Sequence, residues 1–190
     1  MKPFIYPILI FVLLISGCGT GNQPEQTDAT DINDSEQIEI DVPVVEKFFQ
    51  VGVNVAGKTS SNDYTALMEG DDVPIELGPQ GSWMIVGAVR TNHFAADISK
   101  VKVVAQITAA DNTVYGKLTL KKKPLFPSTD GSKYMMNIWL VVSSKIDESS
   151  GKMVWEDKDA VFSVFLEDAD GNSMEDSVPI HMIKVSDGTR

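Results

Sequence analysis

Val101-Lys102-Val103-Val104-Ala105-Gln106-Ile107-Thr108 and, five residues on, Val114-Tyr115-Gly116-Lys117-Leu118-Thr119-Leu120-Lys121 decide the fold class. Val101, Val103, Ala105 and Ile107 alternate with Lys102, Gln106 and Thr108. Gly116, Leu118 and Leu120 alternate with Lys117, Thr119 and Lys121. A period of two sends one set of side chains to a core and the other to water, which is the mark of a half-buried β-strand. Ala110-Asp111-Asn112 lies between them and supplies side chains that bond their own backbone, as a turn requires. Working outward, the same alternation runs through Phe49, Val51, Val53 and Val55. It returns in Ala160, Phe162, Val164 and Leu166, and in Val178, Ile180 and Met182. Residues 83–89 and 134–142 are apolar on both faces and are expected to be central strands.

Punctuation between these runs agrees. Gly78-Pro79-Gln80-Gly81 joins residues 73–77 to residues 82–91, with proline second and glycine fourth, the order of a type I turn. Val73-Pro74 places a proline where it suits an edge or a strand start. Asp168-Ala169-Asp170-Gly171-Asn172 joins another pair. No segment keeps a 3.6-residue period over three turns. The pattern predicts an all-β domain over residues 46–190: an immunoglobulin-like β-sandwich of about eight strands with Greek-key connections. A partly closed barrel is the alternative.

The first 45 residues read differently. Lys2 is followed by a run over residues 4–15 that is apolar apart from the break at Pro7, then by Ser16 and Gly17. A short basic start, an apolar stretch too short to span a bilayer and small closing residues are the layout of a signal peptide, assigned to residues 1–17. Cys18 is the only cysteine, so no disulfide can form within the chain. Ile15-Ser16-Gly17-Cys18 resembles the lipobox of bacterial lipoproteins, with isoleucine where leucine is more usual. The resemblance implies cleavage before Cys18, acylation of its thiol and amine, and attachment to a lipid bilayer. One acyl chain holds weakly and two or more hold stably, at about 0.8 kcal/mol per buried methylene. Gly19, rather than aspartate, after the cysteine leans toward the outer membrane of a Gram-negative cell.

From Glu25 to Glu46 there are eight acidic residues and no basic one. Such a stretch buries too little apolar surface to offset its ordering entropy. Residues 18–45 are therefore expected to be a disordered acidic tether that, by random-coil scaling, spans about 25–30 Å on average. The full chain carries a formal charge of −11, yet residues 47–190 hold 15 basic and 19 acidic side chains. The acidity belongs mostly to the tether. A nearly balanced domain, exported from the cell, is not expected to bind nucleic acid.

A further likeness covers about twenty residues. Glu69-Gly70-Asp71-Asp72, the Gly78-Pro79-Gln80-Gly81 turn, Trp83 and the apolar Met84-Ile85-Val86 resemble a pattern in uncharacterised lipoproteins of myxobacteria and related Gram-negative bacteria. The acidic patch is a shuffled version of theirs, and the likeness implies no activity.

Few residues suggest chemistry. The cysteine is assigned to lipid, and neither His93 nor His181 stands in a nucleophile motif. Both are read as surface histidines, and no catalytic residue is assigned. Asp168, Asp170 and Asn172 recur at alternate positions, with Glu175 and Asp176 beyond, as calcium ligands do. However, glycine falls fourth and no glutamate follows where an EF-hand needs one. An ordinary turn is the preferred reading there, with calcium the weaker alternative; no other metal and no cofactor is expected. Lys121-Lys122-Lys123 could meet anionic lipid or glycan, but lysines at a strand end also guard against edge-to-edge association, and the guard reading is preferred. Trp83 and Trp139 are expected in the core and Trp155 nearer the surface. The sequence thus predicts a lipid-anchored, non-catalytic β-sandwich that binds an envelope protein or glycan, through loops such as 78–81 and 123–133. A structural spacer of the envelope is the alternative.

Overall fold

The computed structural model describes residues 46–95 and 97–185. The signal peptide, Cys18 and the acidic tether lie outside the described residues. The chain divides into Met1–Pro43 and Val44–Arg190. Among the described residues the main core cluster runs from Val51 to Met182, within the second unit.

Among the described residues there are ten strands and one 3-10 turn, and the domain is all-β. In chain order the strands are β1 (Phe49–Asn54), β2 (Tyr64–Ala66), β3 (Asp71–Leu77), β4 (Trp83–Thr91) and β5 (Lys100–Thr108). They continue with β6 (Val114–Pro124), β7 (Phe126–Pro127), β8 (Lys133–Val141), β9 (Lys158–Glu167) and β10 (Ser173–Lys184). Each predicted strand is present. The two short ones, β2 and β7, exceed the predicted eight, because three and two residues are too few to show a period.

Hydrogen bonds link the strands in the order β2-β1-β4-β3-β10-β9-β5-β6, with β8 on β4 and β7 on β8. All pairs are antiparallel except β3 with β10, which is parallel. β8 runs along one side of β4. On the other side β1 takes Gly87 to Thr91 and β3 takes Trp83 and Met84. β3 then leaves β4 for β10, so one sheet curls into the next. An added Cβ on Gly87 of β4 would stand 2.8 Å from Phe162 Cζ of β9. Those strands are not hydrogen-bonded neighbours, so the curl brings them face to face.

The core follows from the alternation. Val101, Val103, Ala105 and Ile107 of β5 and Phe162, Val164 and Leu166 of β9 are at most 1% exposed. β4 and β8 are covered on both faces, as their two-sided apolarity predicts. Ile85, Val89, Met135, Ile138 and Leu140 enter the main core, while Ala88, Tyr134 and Met136 form a second cluster with Tyr64 on the other side. Burying apolar area at about 25 cal/mol per Å² is what favours both layers.

One turn recurs four times. At residues 78–82, 109–113, 128–132 and 168–172 the first N–H donates to the fifth C=O, and the fourth N–H donates to the first C=O. The fourth residue takes positive φ: Gly81 at 76°, Asn112 at 67°, Gly131 at 79° and Gly171 at 86°. This is a type I turn closed by a left-handed residue, which only glycine and asparagine enter cheaply.

Candidate functional site

The ladder on one edge of β4 lapses where it changes partner. β1 ends against Gly87 and β3 begins against Met84, leaving Ile85 and Val86 without a partner strand on that side. Two residues explain the lapse. Pro74 of β3 has no amide to continue the ladder. Asn54, which ends β1, turns its side chain instead to the backbone of β8: Asn137 N donates to Asn54 Oδ1 at 3.0 Å, and Asn54 Nδ2 donates to Val55 O at 2.8 Å.

The result is a cleft of about 410 Å³. Ile85 and Val86 form its floor, Val53, Val55 and Pro74 its walls, and Asn54, Asp63, Thr65 and Glu76 its polar rim. Val55 is 59% exposed, and Leu77, next to Glu76 in β3, is 45% exposed. A concave apolar floor with a few polar groups at the rim suits an apolar side chain from a partner.

The sequence-predicted loop Gly78-Pro79-Gln80-Gly81 follows directly from the cleft wall. Its backbone is used internally, with Gly81 N donating to Gly78 O at 2.9 Å and Gly78 N to Ser82 O at 2.8 Å. Pro79 and Gln80 are exposed at its tip.

Asp168, Asp170 and Asn172 sit together on the β9–β10 turn. The Asp168 carboxylate is engaged within it: Oδ1 accepts from Asp170 N and Asn172 N, and Oδ2 from Asn172 Nδ2, each at 2.9 Å. The Asn172 side chain and those amides hold the Asp168 carboxyl below its ordinary pKa. Beyond the turn, Asp176 Oδ2 accepts from Val51 N of β1 at 3.2 Å, bridging two arms of the sheet. No group of three or more His, Cys, Asp or Glu is placed to hold a metal among the described residues.

The histidines stand apart. His181 Nδ1 lies 2.8 Å from Asp159 Oδ1 on the neighbouring strand, and that hydrogen bond raises the imidazole pKa. His93 stacks edge-on against Phe94, and its enclosed Nδ1 has no hydrogen-bond partner among the described residues. Neither ring meets a hydroxyl.

Two tryptophans differ from expectation. Trp155 is not near the surface but fully buried: its Nε1 donates to Ser143 O at 2.6 Å, and its ring packs edge-on against Trp83 at 5.8 Å. Flanking charges in the sequence pointed outward, but a large aromatic is what a long connection uses to tie itself to a core. Trp139 is half-buried beside Val86, on the face of β8 away from the main core.

Sequence reasoning missed three polar anchors. Arg90 pairs with Asp130 at 2.7 Å and lies over the rings of Phe48 and Tyr134, at 5.1 and 5.8 Å. The Ser132 hydroxyl and amide, with Arg90, hold the Asp130 carboxyl down at about 2. Lys133 is buried, with Nζ donating to Ala95 O and Ile98 O, and burial lowers its pKa. Asn137, at φ 57°, accepts from Gly57 N and donates to Lys58 O. Only Asn137 carried a signal, a polar residue in an apolar run.

No protein-family model, curated protein or solved structure matches the chain. The class of the described domain therefore rests on its strands and their order.

Proposed function

We propose that this protein is a lipid-anchored envelope protein whose non-catalytic β-sandwich binds a protein or glycan partner through the cleft over Ile85 and Val86. The anchor is Cys18, acylated within Ile15-Ser16-Gly17-Cys18, with the outer membrane of a Gram-negative cell as its location. Residues 18–45 are the tether. The sandwich is of the immunoglobulin-like kind. Supporting that are the parallel β3–β10 pair, the path β3-β10-β9-β5-β6 and the packing of Gly87 against Phe162 between the two arms.

The observation that carries the binding reading is the lapse in the β4 ladder. It leaves a cleft with apolar Val53, Pro74, Ile85 and Val86 in its lining and exposed Val55 at its mouth. A concave apolar site with a few polar groups at its rim is the usual form of a binding site. A photo-crosslinking residue at Leu77, in cells of the host, is expected to trap a discrete envelope partner, and one at Thr119 on the opposite arm is not. Equal or absent labelling at both positions sinks the binding reading in favour of a structural spacer. Palmitate labelling that survives Cys18→Ser would remove the anchor.

A further inference from the structure

Residues 114–127 carry four lysines and no acidic residue, whereas the rest of residues 47–190 carries 11 basic and 19 acidic ones. The fold gathers this positive stretch on the outermost strand of the path, beyond Tyr115, whose O accepts from Ser143 N at 2.8 Å. β6 ends the strand path, hydrogen-bonded to β5, and β7 is hydrogen-bonded to β8. Between Val101↔Lys123 and Val103↔Leu120 the register slips, so Lys121 and Lys122 together face Lys102, with Lys122 at φ 55°. A regular strand would send consecutive lysines to opposite faces; the bulge re-aims one of them. Lys100, opposite Pro124, extends the group.

Lys100, Lys117, Lys121 and Lys122 are exposed, and their ammonium groups engage no described residue in an ion pair or hydrogen bond. Lys102 is committed to Glu167 at 2.8 Å. Just beyond the lysines Phe126 is 47% exposed between two prolines, held out by buried Leu125, whose N–H donates to Ser99 O at 2.9 Å. An edge guard needs charge but has no use for an exposed aromatic ring. Lysines beside an exposed aromatic are the composition of a surface that lies on anionic headgroups. The chain also enters the domain at this end. Glu46 O accepts from Asn92 Nδ2, and the segment after Asn92 leads to Ser99, which binds Leu125.

We propose that the margin formed by Lys100, Lys117, Lys121, Lys122, Lys123 and Phe126 docks the domain on an anionic phospholipid surface. This rests on the anchored reading only in that an anchor brings a bilayer within reach; the contact itself needs no acylation.

The test is sedimentation of residues 44–190, which lack Cys18, with vesicles. Vesicles of phosphatidylglycerol and phosphatidylethanolamine are expected to carry the protein down at low salt, and phosphatidylcholine vesicles are not. High salt is expected to release it, because the charges are exposed. Replacing Lys121, Lys122 and Lys123 together by Gln is expected to lower partitioning by about tenfold or more. The corresponding Arg variant keeps it, and Phe126→Ser lowers it with unchanged thermal unfolding. No sedimentation with anionic vesicles, or no loss in the Gln variant, overturns the proposal. Retention on heparin without vesicle binding assigns the margin to a polyanionic glycan and also overturns it. New self-association of the Gln variant with unchanged vesicle binding shows an edge guard alone. Cys18 is read separately, by palmitate labelling of the full chain.

Discussion

β9 and β10 pair at ten consecutive positions, from Ser173↔Glu167 to Met182↔Lys158, without a slip. β4 and β8 pair at seven and slip once, between Gly87 and Val89. The first pair alternates cleanly, Ala160, Phe162, Val164 and Leu166 inward and charged or polar residues mostly outward. The second is buried on both faces. Where one face meets water, a one-residue slip would expose a whole apolar set, so alternation alone fixes the register. Where both faces are apolar, alternation says little, and particular side chains must fix it. Asn137 does so at the bulge, by bonding Asn54 and the 57–58 backbone.

The largest effect tests what the two pairs share. Phe162 is fully buried between them, against Gly87. Phe162→Ala is expected to cost about 3–5 kcal/mol in denaturant unfolding. A loss under about 1 kcal/mol would mean that the arms do not share a core.

Close backbone approach comes next. A Cβ on Gly116 would stand 2.5 Å from Val141 O, a backbone atom with no rotamer to change. Gly116→Ala is expected to cost about 1–3 kcal/mol, measured as a shift in the urea midpoint. No shift would place β6 farther from the end of β8.

Asn137→Ala and Asp170→Ala sharpen the contrast in register control. The first removes bonds to Gly57, Lys58 and Asn54 and should cost about 1–3 kcal/mol, with faster amide exchange over residues 55–58. The second truncates an exposed side chain on the regular hairpin and should fall within about 0.5 kcal/mol of zero. Equal costs would break the comparison. On the same hairpin Gly171→Ala, at φ 86°, should cost about 1–2 kcal/mol by forcing a Cβ into left-handed backbone.

The smallest effect is a pH dependence on the regular pair. Asp159 raises the His181 pKa above its ordinary 6.5. A raised imidazole adds stability that is complete below that ordinary value and fades as pH rises through the folded-state one. Thermal midpoints should therefore fall slightly from about pH 6 to 8, and Asp159→Asn should flatten that fall. An unchanged slope in the variant would show that the pair is too solvated to matter.

Much of the fold was legible, and the reason is periodicity. β5, β9 and β10 are alternating strands that each have one neighbour a single turn away, and those turns carry Asn112 and Gly171 where positive φ is needed. β2 and β7 left no period to read. Trp155 was misjudged because its neighbours in sequence are charged while its neighbours in space are Trp83 and Ser143. The turn at 78–81 was visible as a turn, but not the cleft beside it. That cleft depends on Pro74, Asn54 and Val86, residues 12 to 32 positions apart that meet only because β4 changes partners.

The sequence by itself determined the strands, their inward faces and most of their turns, because dihedral preferences and alternating burial act within a few residues. The tertiary structure alone decided that β3 leaves β4 to run parallel with β10, and that one edge of β4 lacks a partner strand at Ile85 and Val86. It also decided that a bulge sets Lys121 and Lys122 together opposite Lys102 on the outermost strand. Those outcomes depend on which distant strands share an edge, and a period of two carries no record of its neighbour.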